Sequence, residues 1–346
     1  MFNTLKKTAL ALLVISSSLV QFSCNKDVEA DKLGNWYKSG IPSFGGSARS
    51  RAVSFVIGDK GYIGTGATNE TVSRVKDFWS YNATGKIWSQ VADFAGTGRQ
   101  EAVAFVIADK AYVGTGYDGV TTIDGGYKKD FFQYDPATNK WKAVADFPIV
   151  RNTASAFVVG DKGYVGLGYN ASNYYQDFYR YDPATDKWSE VATFTGGKRR
   201  GANSFVIGGT AYVGFGLNNS GASTKDLYKF DPAGNAGVGA WTKLDDSTID
   251  TDQLLTARSF GFTLVINDKA YIVGGTNASD CWEYTPADNS WILVTPFGDT
   301  GSQRSYSAGF TVGNIGYMGT GIAGGTNSDD FWAFDPTVVV NDDDNN

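Results

Sequence analysis

Arginine stands thirteen residues before a tyrosine at six places, as Arg49, Arg99, Arg151, Arg199, Arg258 and Arg304, and each is followed by an aspartate from the set Asp77, Asp130, Asp177, Asp226, Asp280 and Asp330. A guanidinium offers a planar fork of donors that a carboxylate fits with two parallel hydrogen bonds. Two chemistries follow from this. Each arginine could fork onto its own aspartate or onto loop carbonyls and tie the architecture together, or the six could form a cationic funnel for a carboxylated ligand. A role repeated identically in every unit favours the first. The second has one asymmetric element in Glu101, two residues after Arg99 and unique to its unit, which could act as an acid or base and makes Arg99 and Glu101 ligand-binding candidates.

Other chemistry is narrowed by what is missing. The 346 residues include no histidine, which removes serine triads, Cys–His pairs and histidine metal sites. Cys24 and Cys281 are the only cysteines, too few for a disulfide framework or a thiolate metal cluster. Cys281 occupies a place where the other units carry Phe or Leu, so it reads as a small core residue and not as a nucleophile. Asp118 and Asp124 share a glycine-rich loop, but their spacing matches no calcium loop. No catalytic residue, metal or cofactor is therefore assigned. A net charge of -6 gives no field for nucleic acid or an anionic membrane surface.

These residues sit in a repeating frame. The stretch DFYRYDPATDKW, starting at Asp177, recurs in variant form at Asp77, Asp130, Asp226, Asp280 and Asp330. The units align on Tyr62, Tyr112, Tyr164, Tyr212, Tyr271 and Tyr317, about fifty residues apart, with Gly66, Gly116, Gly168, Gly216, Gly275 and Gly321 four positions later. Period-two alternation and turns such as GDKG and DPATDK give four short strands per unit; in the third these are 155–159, 163–168, 178–181 and 188–192. With 43 glycines and 14% aromatic residues, the class is all-β.

A fifty-residue, four-stranded repeat with a Gly-rich second strand, an aromatic third and a Trp in the fourth resembles the kelch repeat over residues 34–336. The paired glycine of that family stands at Gly274–Gly275, whereas other units read GTG, GLG or GFG. The resemblance implies a six-bladed β-propeller of four antiparallel strands per blade. The sixth unit lacks a Trp after Asp335–Pro336, and Trp36 stands alone before the first, so the strand around Trp36 should close the ring and leave no open sheet edge. Residues 337–346 read as an acidic disordered tail.

In such blades the links between second and third strands, and between blades, share one face. Length varies most there, with 117–129 the longest link. Variable loops on a rigid scaffold are where binding is placed, and these carry Tyr117, Tyr127, Tyr169, Tyr174 and Tyr175, whose flat faces and hydroxyls suit a sugar ring or a protein epitope. The arginine column is expected around the channel mouth on the same face.

At the other end, Lys6 and Lys7, the apolar run 9–20 and Ser23–Cys24 read as an export signal over residues 1–23. The cysteine after a small residue resembles the lipidation site of bacterial lipoproteins, and Gln21 departs from their usual Leu. Residues 24–33 form a polar tether that resembles the surface-export stretch of lipoproteins from Bacteroides-like bacteria. Together these readings predict a monomeric, lipid-anchored protein of the outer membrane or cell surface, touching the membrane through its N-terminal lipid only and binding a glycan or another envelope protein. The alternative resemblance is to kelch-type sialic acid mutarotases, which act on an acidic sugar. Galactose-oxidase-like copper chemistry is set aside, since the histidine ligands of that family's copper site are absent.

Overall fold

The structure is a computed structural model that describes residues 33–69, 73–120, 124–245, 254–298 and 303–339, with the backbone of 248–249. The export signal, Cys24 and nearly all of the tether lie outside the described residues.

Alternation along the chain becomes sheet directly. In the third unit Ser155–Val159, Lys162–Gly166, Phe178–Asp182 and Lys187–Val191 pair antiparallel in sequence order, within one or two residues of the bounds expected from the pattern. Inner strands such as Val53–Ile57 and Val103–Ile107 bury every second side chain. The tight turns use left-handed backbone, with Ala108 and Asp109, or Asn267 and Asp268, both at positive φ, the twist that suits a two-residue hairpin. Five further sheets repeat the plan, and the fifth gains Thr248–Ile249 as a short parallel strand on its outer edge. The six innermost strands touch in cyclic order, with Val53–Ile57 meeting both Val103–Ile107 and Ala308–Val312. They surround a central channel of ≈ 250 Å³ lined by small side chains, among them Ala52, Ser54, Ala102, Ala154 and Ser204.

Closure occurs where it was expected. Leu33–Tyr37 is the outermost strand of the last sheet, with Trp36 opposite Phe334 in antiparallel register and its indole stacked on that ring at 4.6 Å. The partner strand, Phe331–Val339, runs three residues past the expected boundary. Val339 pairs with Leu33 there, so Thr337, Val338 and Val339 are ladder and not tail; residues 340–346 lie outside the described set.

The aligned tryptophans join neighbouring sheets. The indole N–H of Trp141, Trp188 and Trp241 donates to Ala92, Ala145 and Ala192 of the preceding sheet, and that of Trp36 to Thr295. The glycine column joins them a second time. Gly66, Gly116, Gly168, Gly216, Gly275 and Gly321 have φ of 84 to 114°, and a Cβ on any of them would stand 2.6 to 2.9 Å from a carbonyl oxygen of their own sheet. Each amide then donates to the carbonyl of the column arginine in the next sheet, the last from Gly321 to Arg49. The residue before each of these glycines is also left-handed, which explains the paired glycine at 274–275; where Thr65, Thr115, Leu167, Phe215 or Thr320 stands instead, the conformation costs on the order of 1–2 kcal/mol.

Candidate functional site

The six arginines are clamps. Arg151 sends Nη1 to Asp177 Oδ1 at 2.6 Å and Nη2 to Oδ2 at 2.9 Å, and Nη1 also donates to the carbonyl of Leu167 at 2.8 Å. Its side chain is 0% exposed and that of Asp177 17%. Arg49–Asp77, Arg99–Asp130, Arg199–Asp226, Arg258–Asp280 and Arg304–Asp330 repeat the arrangement, each also bonding the carbonyl of the left-handed residue that precedes the column glycine. That bond helps hold a non-glycine residue in a backbone region it otherwise avoids. Burial by itself would raise the carboxyl of Asp77, Asp226 and Asp330, but the fork and charge of the arginine outweigh it and hold each below the usual carboxylate range. Asp and Arg belong to one sheet, while the arginine carbonyl takes the glycine N–H of its neighbour. The guanidiniums are therefore consumed inside the wall, and the channel lining contains none of them.

The mouth is built two residues further on. Arg51, Glu101, Thr153, Gly201, Phe260 and Tyr306 all have φ between 49 and 60°, and each donates its N–H to the carbonyl of the one before, with Arg51 donating to Tyr306 at 3.0 Å. Six backbone hydrogen bonds thus close head to tail. The left-handed turn also separates Glu101 from Arg99: Glu101 takes a hydrogen bond from Arg51 Nε at 3.0 Å and another from Asn152, while Arg99 is buried on Asp130. The two candidates expected together are held apart.

Side chains from this circle and from the loops outside it form a continuous collar. Arg74 lies over Tyr117 at 4.7 Å, Tyr117 packs on Tyr127 at 5.0 Å, and Tyr127 meets Tyr169 edge-on at 6.2 Å. Tyr169 packs on Tyr174 at 4.8 Å and lies 4.7 Å from the guanidinium of Arg200, which also reaches Phe260. Phe260 stacks on Tyr306 at 4.4 Å, Tyr306 on Arg51 at 4.2 Å, and Arg51 completes the turn at Glu101. All six sheets take part, through side chains or the backbone circle. Of the loop tyrosines named from the sequence, Tyr117, Tyr127, Tyr169 and Tyr174 come together here. Tyr175 does not, because successive residues of an extended segment take opposite faces; its ring stacks on the clamp Arg151 at 4.2 Å.

Two of the collar phenols are shifted upward. Burial pushes Tyr127 up, with Tyr169, Tyr117 and Glu101 adding to it and Arg200 opposing. Burial likewise raises Tyr306, against Arg51 and Arg200. Asp118 accepts from Lys128, Thr97 and the Val120 amide, a loop brace in place of a calcium ligand. Cys281 is wholly buried and its thiol is pushed up by that burial, as a core residue should be. Among the described residues no three His, Cys, Asp or Glu side chains converge as a metal site.

Sequence reasoning missed Arg51, Arg74, Arg200, Phe260 and Tyr306. For Arg51, Phe260 and Tyr306 the available signal was positional: aligned on the clamp arginine, the second position after it differs in every unit, and Glu101 was singled out from that same column.

Comparison with known proteins agrees with this architecture. Residues 163–195 match the family description "Kelch motif". A solved structure titled "Structure of YjhT" superposes with a TM-score of 0.69 at 18% identity, covering 84% of this chain and 96% of that one. The fold is a kelch-type β-propeller. No curated protein matches the chain in sequence. Within this propeller the match falls on strands and turn of the third blade, the unit whose sequence keeps the repeat most fully, and the collar residues other than Tyr169 and Tyr174 lie outside it.

Proposed function

We propose that the chain is a non-catalytic binding module, anchored at the outer membrane or cell surface through a lipid on Cys24, and that its ligand is a glycan taken at the collar. The observation that carries this reading is the unbroken run of aromatic faces and guanidiniums around the channel mouth. A pyranose has an apolar C–H face and a rim of hydroxyls; tyrosine rings match the face, while phenol and guanidinium donors match the rim. The one carboxylate of the described collar side chains is already engaged, which supports binding over turnover. The phenols of Tyr127 and Tyr306 are raised, the channel wall is Ala, Ser, Gly and Val with Phe262, and the mouth carboxylate of Glu101 already accepts from two donors.

The test is a glycan array, neutral and acidic, probed with the full chain. Binding is expected, and Tyr169→Ala combined with Tyr174→Ala should abolish it. A blank array would sink the glycan reading and turn the search to an envelope protein, by crosslinking in the native envelope. One observation favours a second reading, that of an enzyme exchanging the anomers of an acidic sugar: Glu101 is close enough to Tyr127 and Tyr306 to raise both phenols, a grouping able to relay a proton. Anomer-exchange NMR separates the two, since acceleration lost in Glu101→Gln would decide for the enzyme.

A further inference from the structure

Resting on the binding reading above, we infer that Arg200 is an anion subsite of the collar, taking a carboxylate carried by the ligand sugar. The position after each clamp arginine is Ser50, Gln100, Asn152, Arg200, Ser259 or Ser305, so only the fourth blade places a cation there. Arg200 is held by the short strand Arg199–Arg200, which pairs with Leu217–Asn218. Its neighbour Arg199 turns into the wall onto Asp226, and Arg200, on the opposite side of the strand, emerges among the collar rings.

Three faces surround its guanidinium, Tyr169 at 4.7 Å, Tyr174 at 5.5 Å and Phe260 at 5.8 Å. Gly201 makes room for the last, since a Cβ there would run into the Phe260 ring. Rings over a guanidinium shed water from its faces but offer no counter-charge. Among the described residues Arg200 makes no ion pair, and its Nε is buried without a hydrogen-bond partner. The carboxylate of Glu101 is engaged by Arg51 and Asn152. Arg51 and Glu101 pair with each other, and among the described residues no carboxylate pairs with Arg200.

A planar, singly charged group that accepts two parallel hydrogen bonds answers this geometry. A carboxylate does so with one negative charge, whereas a phosphate dianion would leave excess charge beside Tyr127 and Glu101. The chemical class is therefore a uronic or other carboxylated sugar, with its ring against the tyrosines and its carboxylate on Arg200.

Titration of the full chain with methyl β-glucuronide, methyl β-glucoside, acetate and inorganic phosphate, read by heat and by the Arg200 Nε–H signal in NMR, tests this. The glucuronide should bind at least about tenfold more tightly than the glucoside. Acetate should move the Arg200 signal more than phosphate does. Arg200→Gln should remove the glucuronide preference and keep weak glucoside binding; Arg200→Lys, which keeps the charge without the fork, should retain only part of the preference, and unchanged melting would establish that both variants fold. Equal binding of the two glycosides, or a preference that survives Arg200→Gln, overturns the subsite while sugar binding stands. An acetate shift at Arg200 with neither glycoside bound supports the carboxylate site and removes the sugar reading. Phosphate equal to acetate overturns the carboxylate assignment.

Discussion

At the clamp position every blade carries arginine; two residues along the same backbone the blades carry Arg51, Glu101, Thr153, Gly201, Phe260 and Tyr306. The backbone does the same work at both places, since each clamp carbonyl accepts from a neighbouring blade and each mouth residue belongs to the hydrogen-bonded circle. Only the destination of the side chain differs. Clamp side chains enter a wall where an unpaired charge is costly, so each blade needs the same pair. Mouth side chains leave the wall, and the fold constrains little beyond their left-handed turn. Uniformity among repeats thus marks what the ring needs, and divergence marks where it can meet something else.

The largest break in this comparison is to open the ring. Deleting Leu33–Tyr37 should abolish cooperative unfolding in a thermal melt, because the last sheet loses its outer strand and Phe334 its stacked indole. Next comes the wall. Arg151→Met leaves Asp177 unpaired and should cost about 3–5 kcal/mol in urea unfolding; a loss under about 1 kcal/mol would show that the clamps are ornamental to stability. Trp188→Ala removes an indole packed on Tyr181, Phe131 and Phe147 and should cost about 3 kcal/mol. Acid addresses the same clamps together. The carboxyls of Asp77, Asp226 and Asp330 sit lower in the folded chain than in the unfolded one, so their contribution is complete above the ordinary value of 3.8 and is lost as the pH falls below it toward the native values. Urea midpoints flat from pH 7 to about 5 and dropping below about 4 are the expected profile. The smallest effect on stability is the most informative one for the collar: Tyr169→Ala should shift unfolding by less than about 1 kcal/mol while weakening glycan binding, a split the clamp variants cannot produce.

How much of this the sequence disclosed follows the same division. Features that recur in every unit could be aligned, so the strands, the closing role of Trp36, the clamp pairs and the glycine column were legible before any coordinate. The collar was legible only in part. Tyr117, Tyr127, Tyr169 and Tyr174 cluster in two loops and announce themselves, whereas Arg51, Arg200, Phe260 and Tyr306 come from blades far apart in the chain, each beside a clamp residue that draws the eye. Glu101 was set beside Arg99 on its place two residues along the chain, whereas its left-handed backbone, with φ of 57°, goes with a side chain bonded to Arg51. The tail boundary failed for another reason: Asp335 and Pro336 look like a turn, yet the pairing with Ile315–Gly319 stops at Phe334, so one edge of the strand is free beyond it and tolerates proline, and Leu33 supplies a partner for Val339.

Ring closure also sets a clock. The strand Leu33–Tyr37 is made before the other described strands and its partner Phe331–Val339 after them, so a chain being synthesised carries one of the four strands of its final sheet, unpaired, until the other sheets have followed. Intermediate lengths expose an indole and a strand edge to whatever else is nearby. The last nine-residue strand is therefore the step at which a string of blades becomes one object, and a chain stopped before Phe331 should be cleared by proteases that leave the complete ring untouched.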